Sequence, residues 1–172
     1  MNYILETERL ALRELNENDA SFILELLNTD GWLKYIGDRN VKSEDQASDY
    51  LMNGPIKSYK DNGYGLYLVE LKSEKIPIGM CGIIKRDNLE LPDIGYAFLP
   101  MYYGLGYAFE AAKQTLNYAE FNLNLNKILA ITNPDNFSSI KLLEKLGFAF
   151  QKFIKAPHDG AELRLFSKIL GK

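Results

Sequence analysis

The segment PDIGYAFLPMYYGLGYAFEAA, residues 92–112, contains a strand, a glycine turn and the start of a helix in immediate succession. Apolar residues alternate with smaller or polar ones from 93 to 98, which predicts the strand. Gly104 and Gly106 then precede an Ala- and Glu-rich stretch typical of a helix. The first four N–H groups of a helix lack intrahelical partners and the helix dipole is positive there, so this turn predicts a phosphate site.

Two common phosphate-binding patterns are absent from this turn. A Rossmann fingerprint requires a small third residue where this chain has Phe109, and an acidic residue about 20 positions further on, where Asn and Leu predominate. A P-loop requires Gly-Lys-Ser/Thr, whereas Gly106 is followed by Tyr107 and Ala108. The turn therefore does not indicate a dinucleotide or nucleoside triphosphate site.

A second motif, NPDNFSSI at residues 133–140, follows a short apolar strand predicted at 127–132. Asn136 is suited to cap the next helix, and Gly147 supplies the left-handed residue that would end it. A strand, the glycine turn, a helix and another strand in this order predict a parallel crossover.

These two segments together resemble the GCN5-related N-acetyltransferase (GNAT) family. Residues 101–106 are similar to the family pattern Gln/Arg-x-x-Gly-x-Gly/Ala, with Met101 in place of Gln or Arg, and residues 133–147 resemble its Asn-x-x-Ser motif. The continuation GYAFEA is similar to the RimJ/RimL-like branch, which acetylates the N-termini of ribosomal proteins. The resemblance implies one α/β (α+β) domain over residues 1–172, with a mixed, mostly antiparallel sheet of about seven strands and helices on both faces.

The resemblance implies that acetyl-CoA is the cofactor, lying in a gap where two parallel strands diverge. The residues implied to contact it are Phe98, Leu99, Met101, Gly104, Leu105, Gly106, Tyr107, Ala108, Asn133, Asn136 and Ser139. Phe98 and Leu99 are expected to bind the pantetheine arm through the main chain, and residues 104–108 to hold the pyrophosphate. Asn136 is expected to bond the arm, or alternatively only to cap its helix. Ser139 is expected near the sulfur, or alternatively is a solvated serine of the first helical turn.

The implied reaction is direct attack of a neutral primary amine on the thioester in a ternary complex. A free N–H near Phe98 or Leu99 is the expected donor to the oxyanion. Many family members protonate the leaving thiolate with a Tyr seven residues after the motif Asn, a position that is Leu143 here. Ser139 is therefore the candidate proton donor.

Asp93 is the candidate general base, acting through a water. Glu90 and Asp38 are alternative bases, as is proton loss directly to solvent. The competing interpretation is that Asp93 binds the acceptor or the backbone and takes no proton.

The acceptor cleft is implied to be walled by two predicted helices, at about 19–28 and from Ser43 towards Tyr59. The acceptor-side candidates are Trp32, Tyr35, Asp38 and Arg39. The competing interpretation packs the two aromatic residues in the core and leaves the two charged ones in a turn. A protein N-terminal amine is the leading acceptor, and an aminoglycoside, a polyamine or an amino-acid derivative is the alternative. A non-catalytic acyl-CoA-binding module is the hypothesis from another class.

Outside these motifs, alternation predicts one strand at residues 7–15 with a solvent-facing side, a hairpin from 64–70 and 77–85, and a final hairpin from Phe148 to Ile169. His158 falls in the turn of that last hairpin.

Composition excludes several other classes. The 172 residues are 47% hydrophobic with a net charge of −3, which predicts one globular domain and argues against a nucleic-acid partner. No apolar run approaches the ~18 residues of a membrane span, and no signal peptide is evident, so a cytoplasmic monomer or homodimer is expected. Cys81 is the single cysteine, which excludes an intrachain disulfide and a Cys-rich metal site. No metal is expected.

Overall fold

The computed structural model describes residues 2–171, which form an eight-stranded mixed sheet with helices on both faces. The strands are β1 (Tyr3–Glu6), β2 (Leu10–Glu14), β3 (Leu66–Leu71), β4 (Ile76–Ile84), β5 (Asp93–Phe98), β6 (Lys127–Thr132), β7 (Ala149–Lys155) and β8 (Glu162–Ile169). The helices are α1 (Ala20–Leu27), α2 (Asp30–Tyr35), α3 (Glu44–Asn53), α4 (Pro55–Asn62), α5 (Tyr107–Phe121) and α6 (Phe137–Lys145). Within this range no helix is long and apolar enough to cross a membrane.

The sheet order is β1-β2-β3-β4-β5-β6-β8-β7, and every neighbouring pair is antiparallel except β5 and β6. Helices α5 and α6 pack on one face, while α1 to α4 pack on the other, so the core is divided into two apolar clusters. Successive strand residues serve opposite clusters: Tyr67 and Val69 join the first, and Leu68 joins the second. The central strands are therefore apolar on both faces.

Helix α5 lies close against the sheet because its inner stripe is small. Ala111, Ala112, Thr115 and Ala119 are all fully buried. Close packing of this helix fixes the position of its N-terminus, where the glycine turn arrives.

The β5–β6 junction is the only parallel pairing among the described strands, and it is one residue pair long. Asp93 pairs with Leu129, and the Leu129 N–H donates to the Pro92 carbonyl oxygen at 3.0 Å. Beyond that point the strands diverge. The divergence predicted from the family resemblance is confirmed, and it opens a gap in the middle of the sheet.

The strand predicted at 7–15 is present as β2, but it begins only at Leu10, and the prediction missed β1 before it. That region contributes the turn of a β1–β2 hairpin, in which the Thr7 N–H donates to the Leu10 carbonyl oxygen at 2.9 Å. Leu10, Ala11 and Leu12 are all buried, so neither side of this part of β2 faces solvent. The sheet consequently has eight strands rather than about seven.

The predicted second helix, from Ser43 towards Tyr59, is two helices. Ser43 caps α3 as expected, its hydroxyl accepting from the Gln46 N–H at 3.2 Å. The helix then ends at Gly54, and Pro55 begins α4, because proline lacks the N–H needed to continue a helix but suits a first position. Helix α2 was not predicted; Thr29 caps it.

Candidate active site

Backbone groups of β5 are left unpaired along the central gap. The Leu99 N–H donates to the Ile78 carbonyl oxygen of β4 at 2.9 Å. Because backbone groups alternate in direction along a strand, the N–H groups of Tyr96 and Phe98 point the opposite way, towards β6. No strand pairs with them there, since β5 and β6 share only the pair at Asp93. An extended ligand can therefore bond to this edge as an added strand would.

Leu99 does not have the free backbone that was predicted for it. Its N–H is taken by Ile78, and its carbonyl oxygen accepts from the Tyr102 N–H at 3.0 Å. The expectation that the Leu99 N–H donates to an oxyanion was wrong, because the strand ladder extends one residue past β5. A pantetheine contact through the Leu99 carbonyl oxygen stays a prediction. Phe98 retains that role as a prediction.

The glycine turn presents free amides to solvent. Gly104 and Gly106 have φ values of +74° and +84°, which only glycine adopts without strain. Among residues 2–171 no acceptor bonds the N–H groups of residues 104–109. A Cβ added at Gly104 would meet nothing within 4 Å, so a ligand can approach closely. This turn, which includes Leu105, Tyr107 and Ala108, fits a diphosphate; the Met101 side chain beside it is 74% exposed.

Arg9, which was not singled out in the sequence, lies against this turn. Its Nη1 donates to the Leu105 carbonyl oxygen at 3.0 Å, and its Nε pairs with Glu110 at 2.7 Å. Its guanidinium also lies 4.4 Å from the centroid of the Tyr107 ring. A partly exposed guanidinium, ion-paired with Glu110, thus lies beside the amides of the glycine turn. No local pattern could have revealed it, because the β1–β2 turn and α5 are about a hundred residues apart.

Asn136 caps α6, as one interpretation predicted. Its Oδ1 accepts from the Ser139 N–H and the Ser138 hydroxyl, both at 3.1 Å. Its Nδ2 has no partner within the described chain and can donate to a ligand, so the two predicted roles are compatible. Asn133 is similarly placed, its Oδ1 accepting from the Asp135 N–H at 3.0 Å.

Ser139 and Tyr96 form a hydroxyl pair with an oxygen–oxygen distance of 2.8 Å. Burial raises the pKa of Tyr96 to about 12, although the Ser139 hydrogen bond lowers it. Tyr96 therefore holds its proton at neutral pH and is able to donate it. Sequence reasoning missed Tyr96; the only signal was its place in the alternation of β5, which puts it on the α6 side.

A cavity of about 560 Å³ is lined from both faces of the sheet at this gap. Tyr96, Ser139 and Leu143 line it from the α5–α6 side. Trp32, Tyr35 and Arg39 line it from the other side. The three residues of that second group were predicted as acceptor contacts. Trp32 also packs in the core, as the competing interpretation held, and its buried Nε1 has no partner among residues 2–171.

Asp38, the fourth predicted acceptor contact, does not line the cavity. Its carboxylate accepts from the Asn40 N–H at 2.8 Å and pairs with Lys42 at 3.2 Å, and these two contacts lower its pKa. The geometry therefore gives no support to Asp38 as an acceptor contact, since its own loop already occupies the carboxylate.

Asp93 lines the cavity and is 1% exposed. Its two oxygens lie 2.9 and 3.1 Å from Nε of Arg86. Burial raises the pKa of Asp93 to about 6, while Arg86 opposes the shift. Neither Glu90 nor Asp38 lines the cavity, so Asp93 is the best placed of the three proposed bases.

Comparison with known proteins agrees with this geometry. A family profile described as the acetyltransferase (GNAT) domain matches residues 9–149. The chain is 31% identical to YkkB of Bacillus subtilis over 155 residues, covering 88% of each protein. It is 26% identical to a spermidine N(1)-acetyltransferase of Escherichia coli K12, covering 81% of this chain and 73% of that one.

Solved structures give the same result for the fold. The acetyltransferase (GNAT family) from Bacillus anthracis superposes with a TM-score of 0.79 at 26% identity, covering 96% of this chain and 97% of that one. RimL, a ribosomal L7/L12 alpha-N-protein acetyltransferase in complex with coenzyme A, superposes with a TM-score of 0.81 at 18% identity, covering 98% of both chains.

Proposed function

Because the chain belongs to the GNAT acetyltransferase family, we propose that the gap between β5 and β6 binds acetyl-CoA and delivers its acetyl group to a protein N-terminal amine. The chain is an acetyl-CoA-dependent N-acetyltransferase. The observation that carries the assignment of the site is the row of unpartnered amides at residues 104–109, next to a strand edge whose cavity contains the Tyr96–Ser139 pair.

The cofactor residues divide by the part of the molecule they would hold. The amides of residues 104–108 and the guanidinium of Arg9 would bind the diphosphate. The free backbone of Phe98 and the Nδ2 of Asn136 would bind the pantetheine arm. Met101 and Asn133 lie beside these groups in sequence and would contribute to the rim.

Acetyl-CoA supplies an acetyl group that is activated as a thioester. The Phe98 N–H faces the gap and would donate to the carbonyl oxygen as negative charge develops on it. The Ser139 hydroxyl, bonded to Tyr96, would give a proton to the departing sulfur and be resupplied by Tyr96. Because a thiol has an ordinary pKa of about 8.5, this proton assists the reaction but is not indispensable.

Asp93 would take the proton of the attacking amine through a water. A carboxyl pKa of about 6 leaves it ionised at neutral pH while keeping it a stronger base than an exposed aspartate. Arg86, bonded to Asp93 through Nε, would hold the carboxylate in place.

The acceptor proposal has two forms. The GYAFEA sequence supports a protein N-terminus, whereas the similarity to a spermidine acetyltransferase supports a small polyamine. A thiol-release assay with acetyl-CoA separates them, using peptides with different first residues, spermidine and an aminoglycoside. Turnover of peptides above the small amines supports the first form, and faster turnover of spermidine supports the second.

The same assay tests the site with Ser139→Ala and Asp93→Asn beside Ser73→Ala, a control in an exposed turn of the β3–β4 hairpin. We expect lower turnover in the first two variants only. Tight acetyl-CoA binding without turnover of any acceptor would instead favour the non-catalytic binding module.

A further inference from the structure

Positive charge in the acceptor half of the cavity is only partly neutralised. Arg39 lines the cavity and makes no hydrogen bond or ion pair with any described residue. Arg86 lines it too, and only its Nε is bonded, to Asp93. Both Nη groups of Arg86 lack a partner within residues 2–171, and the side chain is 33% exposed. Two guanidinium groups in one cavity wall therefore have N–H donors that no described residue accepts.

The acidic side chains of the cavity do not offset this charge. Asp93 is held by Arg86, and Asp61 is paired with Lys57 one turn away on α4. Asp87 is the one lining carboxylate, among described residues, without an ion pair, and Lys85 also lines the cavity without one. The groups left for a ligand are thus mainly basic.

The Tyr50 hydroxyl is affected by the charges of both arginines. This residue lines the cavity between α3 and the sheet. Burial raises the pKa of its hydroxyl, and the charges of Arg39 and Arg86 both lower it. Tyr50, Arg39 and Arg86 line the same cavity, so the Tyr50 hydroxyl is a third donor available there.

We propose that the acceptor carries a carboxylate close to its amine, and that Arg39 and the Nη edge of Arg86 bind this carboxylate. The inference rests on the proposed acetyltransferase site and specifies its substrate class. A guanidinium binds a carboxylate through two parallel N–H donors, which fixes the orientation of the substrate as well as its position. Asp93, besides its proposed role as the base, would orient Arg86 for this contact, because it bonds to Nε and leaves both Nη groups free.

The proposal predicts which of the related acceptor classes fits. A polyamine carries only positive charge and would be repelled by the arginine pair. The carboxylate can come from a free amino acid or from an acidic side chain at the start of a peptide. Both place an anion within a few bonds of the attacking amine.

The test compares acceptors that differ only in charge, in the acetyl-CoA thiol-release assay. The pairs are peptides beginning with Asp or Asn, the free amino acid alanine and its amide alaninamide, and spermidine as the cationic probe. We expect kcat/KM for the acidic member of at least one pair to exceed that of its amide about tenfold, as the loss of one charge-assisted bond implies. The peptide and amino-acid arms identify the source of the carboxylate.

Two variants connect this preference to the arginines. Arg39→Gln replaces an exposed side chain that makes no hydrogen bond or ion pair with residues 2–171. Arg86→Lys keeps a cation beside Asp93 but loses the guanidinium edge. Both should reduce the acid-to-amide ratio to near one without changing the KM for acetyl-CoA. Lys152→Gln removes one positive charge, as Arg39→Gln does, but on exposed β7, and it should retain the wild-type ratio.

Equal rates on the acid and amide members, a preference for spermidine, or an unchanged ratio in Arg39→Gln would each overturn the carboxylate proposal while leaving the acetyltransferase function standing. Absence of turnover with every acceptor would count against the proposed function. In that case calorimetric binding to the CoA-loaded protein decides the arginine site, with N-acetylalanine beside N-acetylalaninamide and N-acetylaspartate α-amide beside N-acetylasparagine amide. Tighter binding of the acid in either pair supports it, and equal binding in both pairs overturns it.

Discussion

The hydroxyl oxygens of Tyr96 and Ser139 lie 2.8 Å apart although 43 positions separate them in sequence. One comes from β5, at the edge of the central gap, and the other from the first turn of α6. The two meet in the cavity wall beside Leu143, the position where many relatives are expected to have a tyrosine acid. A tyrosine hydroxyl is thus present at this wall, supplied by a strand instead of the helix.

Removing either hydroxyl should slow the reaction. We expect Tyr96→Phe and Ser139→Ala each to lower kcat about 10- to 100-fold at pH 7, near the lower end of general-acid contributions because the thiolate leaves readily. The dissociation constant of acetyl-CoA, measured by calorimetry, should change little. If Tyr96→Phe has full activity while Ser139→Ala does not, the serine acts without the tyrosine.

Alanine at Gly106 should weaken cofactor binding. The residue has φ of +84°, and a Cβ would lie 3.3 Å from Nη2 of Arg9, so the turn and its cation must shift. We expect about tenfold weaker acetyl-CoA binding, roughly the loss of one hydrogen bond to a charged group. Gly160→Ala is the control, since that glycine has φ of +68° and open space around it in the β7–β8 turn. It should lose a similar amount of stability and no affinity; equal loss of affinity in both variants would contradict the assignment of the turn.

Asp93 should make stability depend on pH. Its folded pKa is raised to about 6, so folding favours the protonated form, and its stabilising contribution is complete below the ordinary aspartate pKa and is lost as pH rises through about 6. The free energy of unfolding of wild type, relative to Asp93→Asn, should therefore fall by about 2 kcal/mol between pH 4 and 7. Urea titrations at several pH values measure this difference. Asp87→Asn, at an exposed position, should give no such trend.

Cys81 should be unreactive in the folded protein. The thiol is fully buried next to the Thr115 hydroxyl, at 3.4 Å, and burial raises its pKa to about 12. An aromatic disulfide reagent should label it only after denaturation. Rapid labelling of the native protein at pH 8 would show that β4 opens locally.

The sequence predicted the parts of the fold whose signals are local. The strand, glycine turn and helix at residues 92–112 are confirmed, as are β6 and the capped α6, because alternation, glycine and cap residues act within a few positions. It did not predict β1, which is four residues long and too short for a clear alternation. It predicted the strand that contains β2 but gave that strand a solvent-facing side, although Leu10, Ala11 and Leu12 are all buried.

The candidate site was predicted less completely, for a physical reason. Gly104, Gly106 and Asn136 are recognisable because backbone geometry requires those residue types. Arg9 and Tyr96 act through contacts between elements distant in sequence, which no spacing rule contains. The predicted free N–H of Leu99 was wrong for a similar reason, since only the pairing with β4 shows that this N–H is already bonded.

Among the described strands, a single residue pair joins β5 to β6, so the two halves of the sheet are connected by one backbone pairing. Acetyl-CoA bound in that gap would bond to the exposed strand edges as an added strand does. The bound substrate would then stabilise the fold itself. Amide hydrogens of Tyr96, Phe98 and Ile131 should exchange with solvent far more slowly once it is bound. The temperature of thermal unfolding should rise as well. Resistance to unfolding would rise and fall with the supply of the acyl donor.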